Sequence, residues 1–302
     1  MKLDKICEST DKETFNKFYN YMSNNSNEWF DLKLNKDGEI VAGDNAYVNL
    51  HTHFGSDFDF IDNGKLIIKF ASVSRSITLS KLNNLKTLVN LPPIIGNSLT
   101  LEQINNVPSF DLDIKKCYNL TIRRSDFYDL ANIRNVENAI DLFKLPKITS
   151  FDMLPGTYGD TNILKLEKMT IDSSIKNSNK DLKNLILRDI KGFKNFVNLP
   201  HNIKDLTCSF IDDFESFSGI DNYDTLADFD MQFTSDNAFP KGIIAVLLCK
   251  SLKNYAFKLS KYKVVEHLID SFMTISLAKR SDYVMDCAVK LIDAGYPEAA
   301  EL

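Results

Sequence analysis

The chain has 302 residues, of which 44% are apolar and 25% are charged, and it contains only eleven glycines and eight prolines. This composition provides enough apolar chain for a sizeable core and excludes a collagen, a low-complexity disordered chain and a charge-dominated tail protein. The formal net charge of −5 gives no bulk attraction for nucleic acid or for an anionic membrane, so neither is an expected partner.

Residues 1–34 are predicted to form an N-terminal helical cap. Thr10-Asp-Lys-Glu13 has the capping-box pattern of a helix start, and Phe15, Phe18 and Met22 follow at helical spacing. The first residues lack the apolar stretch of a signal peptide, and the five cysteines include no C-x-x-C pair. We therefore expect a cytoplasmic protein without a disulfide framework or a structural zinc site.

His51-Thr-His53 is the most prominent candidate for chemistry. Two histidines on one face of a strand could bind a metal ion, and Val48-Asn-Leu-His-Thr-His53 resembles the first-strand motif of metal-dependent amidohydrolases. That resemblance implies further histidines and an aspartate on later strands of a barrel, whereas only His201 and His267 remain and no barrel pattern is present. A structural place in a repeat is the preferred interpretation, with a metal site or a hydrolase as alternatives. No catalytic residue, metal or cofactor is predicted.

Residues 35–236 contain an internal repeat of about 21 residues. In the stretch Ile77-Thr-Leu-Ser-Lys-Leu-Asn-Asn-Leu-Lys-Thr-Leu88, apolar residues occupy positions 1, 3, 6, 9 and 12 of a template. The template recurs along the chain, and its third position is occupied in turn by Leu50, Leu79, Leu101, Ile122, Leu142, Leu166, Leu187, Cys208 and Met231.

The repeat predicts a solenoid. Positions 1 and 3 alternate as in a half-buried strand, and prolines such as Pro92 and Pro146 disfavour long helices in the return segments. One unit is too small to bury its own apolar edge, but stacked units bury a continuous core. The predicted fold class is therefore α/β, with a ladder of parallel strands and irregular return segments.

Residues 237–302 are predicted to form a C-terminal helical segment. Pro240 suits a first helical position, and the stripe that follows runs from Val265 to Ile275 at helical spacing. Cys249 and Cys287 lie on apolar stripes and are interpreted as core thiols. Two or three helices that cap the solenoid are the preferred interpretation, and a separate binding domain is the alternative.

Units of this length with an L-x-L-x-x-L pattern resemble leucine-rich repeats. The stretch from Ile68 to Pro92 resembles the repeat proteins of tailed bacteriophages, in which a strand is followed by an Asn, a Leu-x-x-Leu step and a closing Pro. Asp37-Gly-Glu-Ile40 and Leu291-Ile-Asp-Ala-Gly-Tyr296 resemble the beginning and the end of those proteins. The family has a buried Asn near template position 6, where this chain has Leu82, Ile104, Leu145, Ile190 and Ile211.

The outward residues of the strands are the candidate binding surface. The row between template positions 1 and 3 includes four threonines, Asp141 and Ile186, and the row after position 3 includes Arg and aromatic residues. Exposed Arg, aromatic and aliphatic residues on a rigid face are typical of protein-binding patches. The candidates are Glu102, Arg123, Phe143, Glu167, Ile186 and Arg188.

These observations predict a non-enzymatic protein-interaction module. The resemblance implies a phage-encoded protein that acts in the host cytoplasm by binding or inhibiting a host protein, such as a defence protein. The alternatives are a structural or assembly component of a virion and an H-x-H metal-dependent hydrolase.

Overall fold

The computed structural model describes residues 10–25, 31–43, 46–51, 59–155, 163–172, 182–200, 202–233 and 241–302. The chain divides into two compact units, Met1–Asp141 and Leu142–Leu302, called here the N-terminal unit and the C-terminal unit. Each unit contains a ladder of parallel strands. The predicted parallel-strand solenoid with an N-terminal helix and a C-terminal helical segment is therefore confirmed.

The N-terminal unit begins with helix α1 (Lys12–Asn25). Phe18 and Met22 are buried on its inner face, as the helical spacing predicts. The capping-box pattern predicts Thr10 as the N-cap, and this prediction is wrong. Asp11 caps the helix, because its Oδ1 accepts the hydrogen bond from the Thr14 amide at 2.7 Å. Thr10 is buried instead, where its hydroxyl oxygen accepts a hydrogen bond from the Lys69 amide at 2.8 Å.

The strands of the N-terminal unit form two parallel ladders that merge in its longer strands. These strands are β1 (Leu32–Leu34), β2 (Ile40–Ala42), β3 (Tyr47–His51), β4 (Ile61–Asp62), β5 (Lys65–Leu66), β6 (Phe70–Val73), β7 (Ser76–Ser80), β8 (Ile94–Glu102) and β9 (Lys116–Arg123). One ladder joins β2 to β6 and the first half of β8, and the other joins β3, β7 and the second half of β8, which bulges between Ile95 and Ser98. Short antiparallel pairs join β1 to β2 and β4 to β5.

The C-terminal unit continues the same coil design after strand β10 (Val136–Phe143), which contains the boundary between the units. Its strands pair in parallel and without a register shift from β11 to β15. They are β11 (Ile163–Glu167), β12 (Asn184–Arg188), β13 (Asp205–Ser209), β14 (Asp228–Phe233) and β15 (Asn254–Leu259). Short 3-10 turns at Phe151–Met153, Ile220–Asn222 and Ile243–Leu248 lie in the return segments.

The predicted register is confirmed in both units. Leu50 pairs with Leu79, Leu79 with Leu101 and Leu101 with Ile122. In the C-terminal unit, Leu166 pairs with Leu187, Leu187 with Cys208 and Cys208 with Met231. All of these side chains are buried, because every second residue of a strand points to the same face.

The C-terminal helices are confirmed, but the helical pattern begins later than predicted. Residues 254–259 form strand β15, in which Phe257 pairs with Met231 and extends the core by one coil. Helices α2 (Lys263–Met273), α3 (Leu277–Arg280) and α4 (Val284–Asp293) follow. Arg280 is buried and donates hydrogen bonds to the carbonyl oxygens of Leu252 at 2.9 Å and Met273 at 3.0 Å. The boundaries at residues 34/35 and 236/237 stay predictions.

Seven of the described coils leave their strands through one residue with a left-handed backbone. In the C-terminal unit, the amides of these residues form a ladder: Lys144 donates to the Glu167 carbonyl at 3.0 Å, and Lys168 donates to the Arg188 carbonyl at 3.0 Å. The next residue in the chain is template position 6, whose side chain is buried. The left-handed residues have φ between 50° and 59°, and they are Lys81, Gln103, Arg124, Lys144, Lys168, Asp189 and Phe210.

Asparagines bridge neighbouring coils at a different corner. Asn90 and Asn135 also have positive φ, and their side-chain amides donate to the carbonyl oxygens of Leu66 and Ile114, each at 2.7 Å. An Asn tolerates this conformation better than most residues because its short amide can form local hydrogen bonds. Apolar side chains therefore fill template position 6 in six of these seven coils and Ser125 fills it in the other, while asparagine supports the corner that precedes the strand at Asn90 and Asn135.

Candidate protein-interaction surface

The outward residues of the parallel strands form regular rows. Because paired strands lie about 4.8 Å apart, each row presents one side chain per coil at that spacing. The row after template position 3 is called the end row, the row between positions 1 and 3 is the middle row, and the row before position 1 is the start row.

In the N-terminal unit, the predicted residues Glu102 and Arg123 lie in the end row and are engaged in ion pairs. Arg123 Nη2 lies 3.4 Å from Asp141 Oδ2, and Arg124 Nη1 lies 3.6 Å from Glu102 Oε1. Both arginine side chains are about half exposed, so each ion pair contributes at most about 1 kcal/mol. The positive charges of Arg123 and Arg124 are thus paired with carboxylates of the N-terminal unit.

In the C-terminal unit, exposed cations lie over aromatic rings. Lys144 Nζ and Lys168 Nζ lie 5.6 Å and 5.8 Å from the centroid of the Phe143 ring, and the Arg188 guanidinium lies 5.7 Å from the centroid of the Phe210 ring. Such contacts stabilise by about 0.5–1 kcal/mol at exposed sites and restrict the cation. Within the described ranges, no carboxylate lies at ion-pair distance from these three cations.

The predicted residues Glu167 and Ile186 lie between these cations and the middle of the face. Glu167 lies 2.8 Å from Lys165 Nζ, and the hydrogen bond from Lys165 holds the pKa of Glu167 below its ordinary value. Ile186 is half-buried and pairs in register with Lys165 on one side and Thr207 on the other. The structure therefore brings Phe143, Glu167, Ile186 and Arg188 together on one face of the C-terminal unit.

The sequence analysis missed a row of polar residues at the start of the strands. Asp205 pairs in register with Asp228, and the Asn254 amide donates a hydrogen bond to Asp228 Oδ1. Desolvation, the hydrogen bond with Asp228 and charge repulsion raise the pKa of Asp205. A groove of about 220 Å³ runs beside these residues and is also lined by Asp230 and Tyr255. The apolar residues of the repeat could have located this row, because it lies one residue before template position 1.

The other candidate chemistry receives no support from the described geometry. His51 ends strand β3, while His53, His201 and Pro240 lie outside the described residues. In the ranges that are described, no three His, Cys, Asp or Glu side chains are placed to hold a metal ion. Across those ranges, too, the structure contains no helix with the length and apolar character of a membrane span.

Four cysteines are buried as thiols. Desolvation raises the pKa of Cys117 to about 11, of Cys249 to about 12 and of Cys287 to about 11, and it raises the pKa of Cys208 further. A thiol with such a pKa is protonated at neutral pH and is a poor nucleophile. The interpretation of Cys249 and Cys287 as core thiols agrees with this burial.

The chain matches no protein-family model, no curated protein and no solved structure.

Proposed function

We propose that this protein is a non-enzymatic interaction module that binds another protein through the outward strand face of its C-terminal unit. The observation that carries the proposal is the fixed set of exposed cation and aromatic pairs around Phe143 and Phe210. Arg and aromatic residues are the types that dominate binding energy at protein interfaces, and a face that is rigid before binding loses little entropy on association.

The partner expected from the resemblance is a host protein. The leucine-rich-repeat-like pattern and the likeness to bacteriophage repeat proteins support a phage-encoded chain that acts in the host cytoplasm, where binding would inhibit a host factor. The face supports this proposal because it offers Lys144, Lys168 and Arg188 to acidic groups of a partner.

Two features make a protein a better partner than a nucleic acid. The cations lie over the Phe143 and Phe210 rings and occupy the aromatic faces on which bases would stack. Glu167 and Asp189 lie among them and would repel phosphates. A protein partner can place its own carboxylates beside the cations only. A nucleic acid would also bring the phosphates of its continuous backbone close to Glu167 and Asp189.

Affinity capture from infected bacteria tests the proposal. The immobilised chain should recover one host complex, and Phe143→Asp combined with Arg188→Glu should reduce recovery at least tenfold because both changes remove central contacts. Arg123→Glu is the matched control, since Arg123 lies in the N-terminal unit and is already paired with Asp141. All variants should keep the wild-type circular dichroism melt.

Two results would count against the proposal. Undiminished capture by the Phe143→Asp, Arg188→Glu variant would place the contact on another surface. Recovery of the chain at stoichiometric copy number in purified virions, without a host complex, would support the virion alternative.

A further inference from the structure

The outward face of the C-terminal unit carries two clusters of like charge and opposite sign. The basic cluster consists of Lys144, Lys168 and Arg188 at the end of the strands. The acidic cluster consists of Asp205, Asp228 and Asp230, at the start and middle of later strands. In the described parts of the chain no ion pair involves these six residues, although Glu167 lies near Lys168 and Arg188, and Lys204 lies near Asp205.

The basic cluster is held together by the corner ladder. Lys144 and Lys168 occupy equivalent left-handed positions in successive coils, because their amides donate to the Glu167 and Arg188 carbonyls in the same way. Both lie over the single ring of Phe143. The ammonium groups of two successive coils therefore lie close to the same aromatic ring.

The acidic cluster is held together by the strand register. Asp205 lies opposite Asp228, and Asp230 lies opposite Thr207. The side chain of Asn254 donates to Asp228, and repulsion between Asp205 and Asp228 is an unfavourable contact that a cation in the adjacent groove would relieve. This cluster is thus complementary to a surface with closely spaced cations.

Ile186 lies midway between the two clusters. It is one coil and three residues from Lys168, and two coils and two residues from Asp228, according to the strand register. At 4.8 Å per coil and 3.3 Å per residue, the separations are about 11 Å and about 12 Å. A two-fold axis that lies in the plane of the interface and passes by Ile186 would place the basic cluster of one copy against the acidic cluster of another.

We propose that this face associates with a second copy of the same chain, so that each basic cluster contacts the acidic cluster of the partner and the two Ile186 side chains meet at the centre. An isologous contact of this kind uses each favourable charge pairing twice. An acidic partner protein would satisfy only the basic cluster, whereas a second copy satisfies both.

The dimer should be weak and sensitive to salt. The face measures roughly 25 by 22 Å with its side chains, or roughly 500 Å² per partner, which is at the lower end of specific interfaces. We expect a dissociation constant of about 10–100 µM at low ionic strength, and a rise of about tenfold when salt screens the charges. Association through this face would also cover the surface proposed for the host partner.

Charge reversal tests the geometry with purified protein and sedimentation velocity. Wild type should be dimeric at about 200 µM, on the dissociation constant expected for an interface of this size. A variant with Lys168→Glu and Arg188→Glu should be monomeric at that concentration, as should a variant with Asp205→Lys and Asp230→Lys. An equimolar mixture of the two variants should recover the dimer, because each reversed cluster meets its reversed complement.

The controls separate loss of the interface from loss of the fold. Lys147→Glu with Lys191→Glu makes the same change in net charge at exposed positions outside both clusters and should leave the dimer intact. Neutral changes, Lys168→Gln with Arg188→Gln, provide a second test if the reversed variant melts early. All variants are compared by circular dichroism.

Three outcomes would overturn the proposal. They are a wild type that stays monomeric at low salt, charge-reversed variants that still dimerise, and a mixture that stays monomeric although wild type dimerises. A monomeric wild type that binds a fluorescent oligoglutamate peptide would assign the basic cluster to an acidic partner instead. Host capture is a separate measurement, so failure of the dimer leaves the proposed function standing, and the reverse also holds.

Discussion

Replacing Phe196 with alanine should destabilise the C-terminal unit strongly. The side chain is 0% exposed, and its ring lies among four other buried rings. The distances between ring centroids are 5.1 Å to Phe214, 5.6 Å to Phe193, 5.7 Å to Phe229 and 6.0 Å to Phe217. Because these rings also pack against one another, they cannot all move to fill the space that the substitution leaves.

The expected magnitude follows from this packing. A buried Phe→Ala change costs about 3–5 kcal/mol through lost transfer free energy and the residual cavity. Aromatic pairs contribute about 0.5–1.5 kcal/mol beyond area burial, so four ring neighbours place the Phe196→Ala loss at about 4–5 kcal/mol. Phe196→Leu keeps much of the volume and should cost about 1–2 kcal/mol.

Urea unfolding followed by circular dichroism measures this loss as a change in the free energy of unfolding. Since solenoid coils are stabilised by their neighbours, the transition of Phe196→Ala should also broaden and its m-value should fall. Val197→Ala is the matched control, because Val197 is adjacent in the chain but 54% exposed, and it should change stability by less than about 0.5 kcal/mol. A loss below about 2 kcal/mol for Phe196→Ala with an unchanged m-value would refute the argument.

Three further predictions concern the N-terminal unit, the start row and the thiols. Gly96→Ala should cost at least about 2 kcal/mol in urea unfolding, because a Cβ there would lie 1.9 Å from the Ser74 carbonyl oxygen and the backbone would have to move. Asp205→Asn should alter the pH dependence of stability, since the folded-state pKa of Asp205 is raised above its ordinary value of 3.8 by desolvation and by Asp228. Because the folded state binds the proton more tightly, the free energy of unfolding of wild type falls as pH rises from about 3.8 through the folded-state pKa. Asp205→Asn should not show this fall, which is below about 1 kcal/mol because the site is exposed. The buried thiols should react with a thiol reagent at pH 8 only after unfolding, because their raised pKa values keep them protonated. These thiols are Cys117, Cys208, Cys249 and Cys287.

Each of these predictions has its own control. Gly295 has a positive φ, but no atom lies within 4 Å of a Cβ added there. Gly295→Ala should therefore lower the free energy of unfolding by only the ~1–2 kcal/mol that a left-handed backbone costs a residue with a side chain. If Gly96→Ala costs less than Gly295→Ala, the close approach to Ser74 is not limiting. Parallel stability curves for wild type and Asp205→Asn between pH 3 and pH 7 would contradict the raised pKa. Rapid reaction of all buried thiols in the folded protein would contradict their burial.

Much of the fold could be predicted from the apolar pattern. The anchors from Leu50 to Ile122 and from Leu166 to Met231 pair in the register that their spacing indicates, because a shift of one residue would turn every buried side chain to solvent. The end-row residues Phe143 and Arg188 were also identified, since their distance from an anchor decides which face of the strand they occupy.

Strand β15 was missed because no proline or regular spacing separates it from the helical stripe that follows. Tyr255, Phe257 and Leu259 alternate as in a strand, but Phe257 follows Met231 by 26 residues, outside the repeat spacing of about 21 residues. Pairing with Met231 on β14 decides in favour of a strand. The cap of α1 differed for a similar reason, because Thr10 is used by the backbone of Lys69, which is distant in sequence.

The periodic apolar residues by themselves determined a stack of parallel strands and the direction in which each side chain points, because every coil repeats the same alternation and stacked coils bury the same face of each strand. Only the tertiary structure decided which charged side chains lie outside ion pairs in the described parts of the chain. Lys144 and Lys168 meet over one ring, and Asp205 meets Asp228, because the left-handed corners and the strand register bring residues from different coils together. These contacts join residues that are about 20 positions apart in the sequence. Their electrostatic energies depend on distances between side chains of different coils, and the sequence of one coil does not determine those distances.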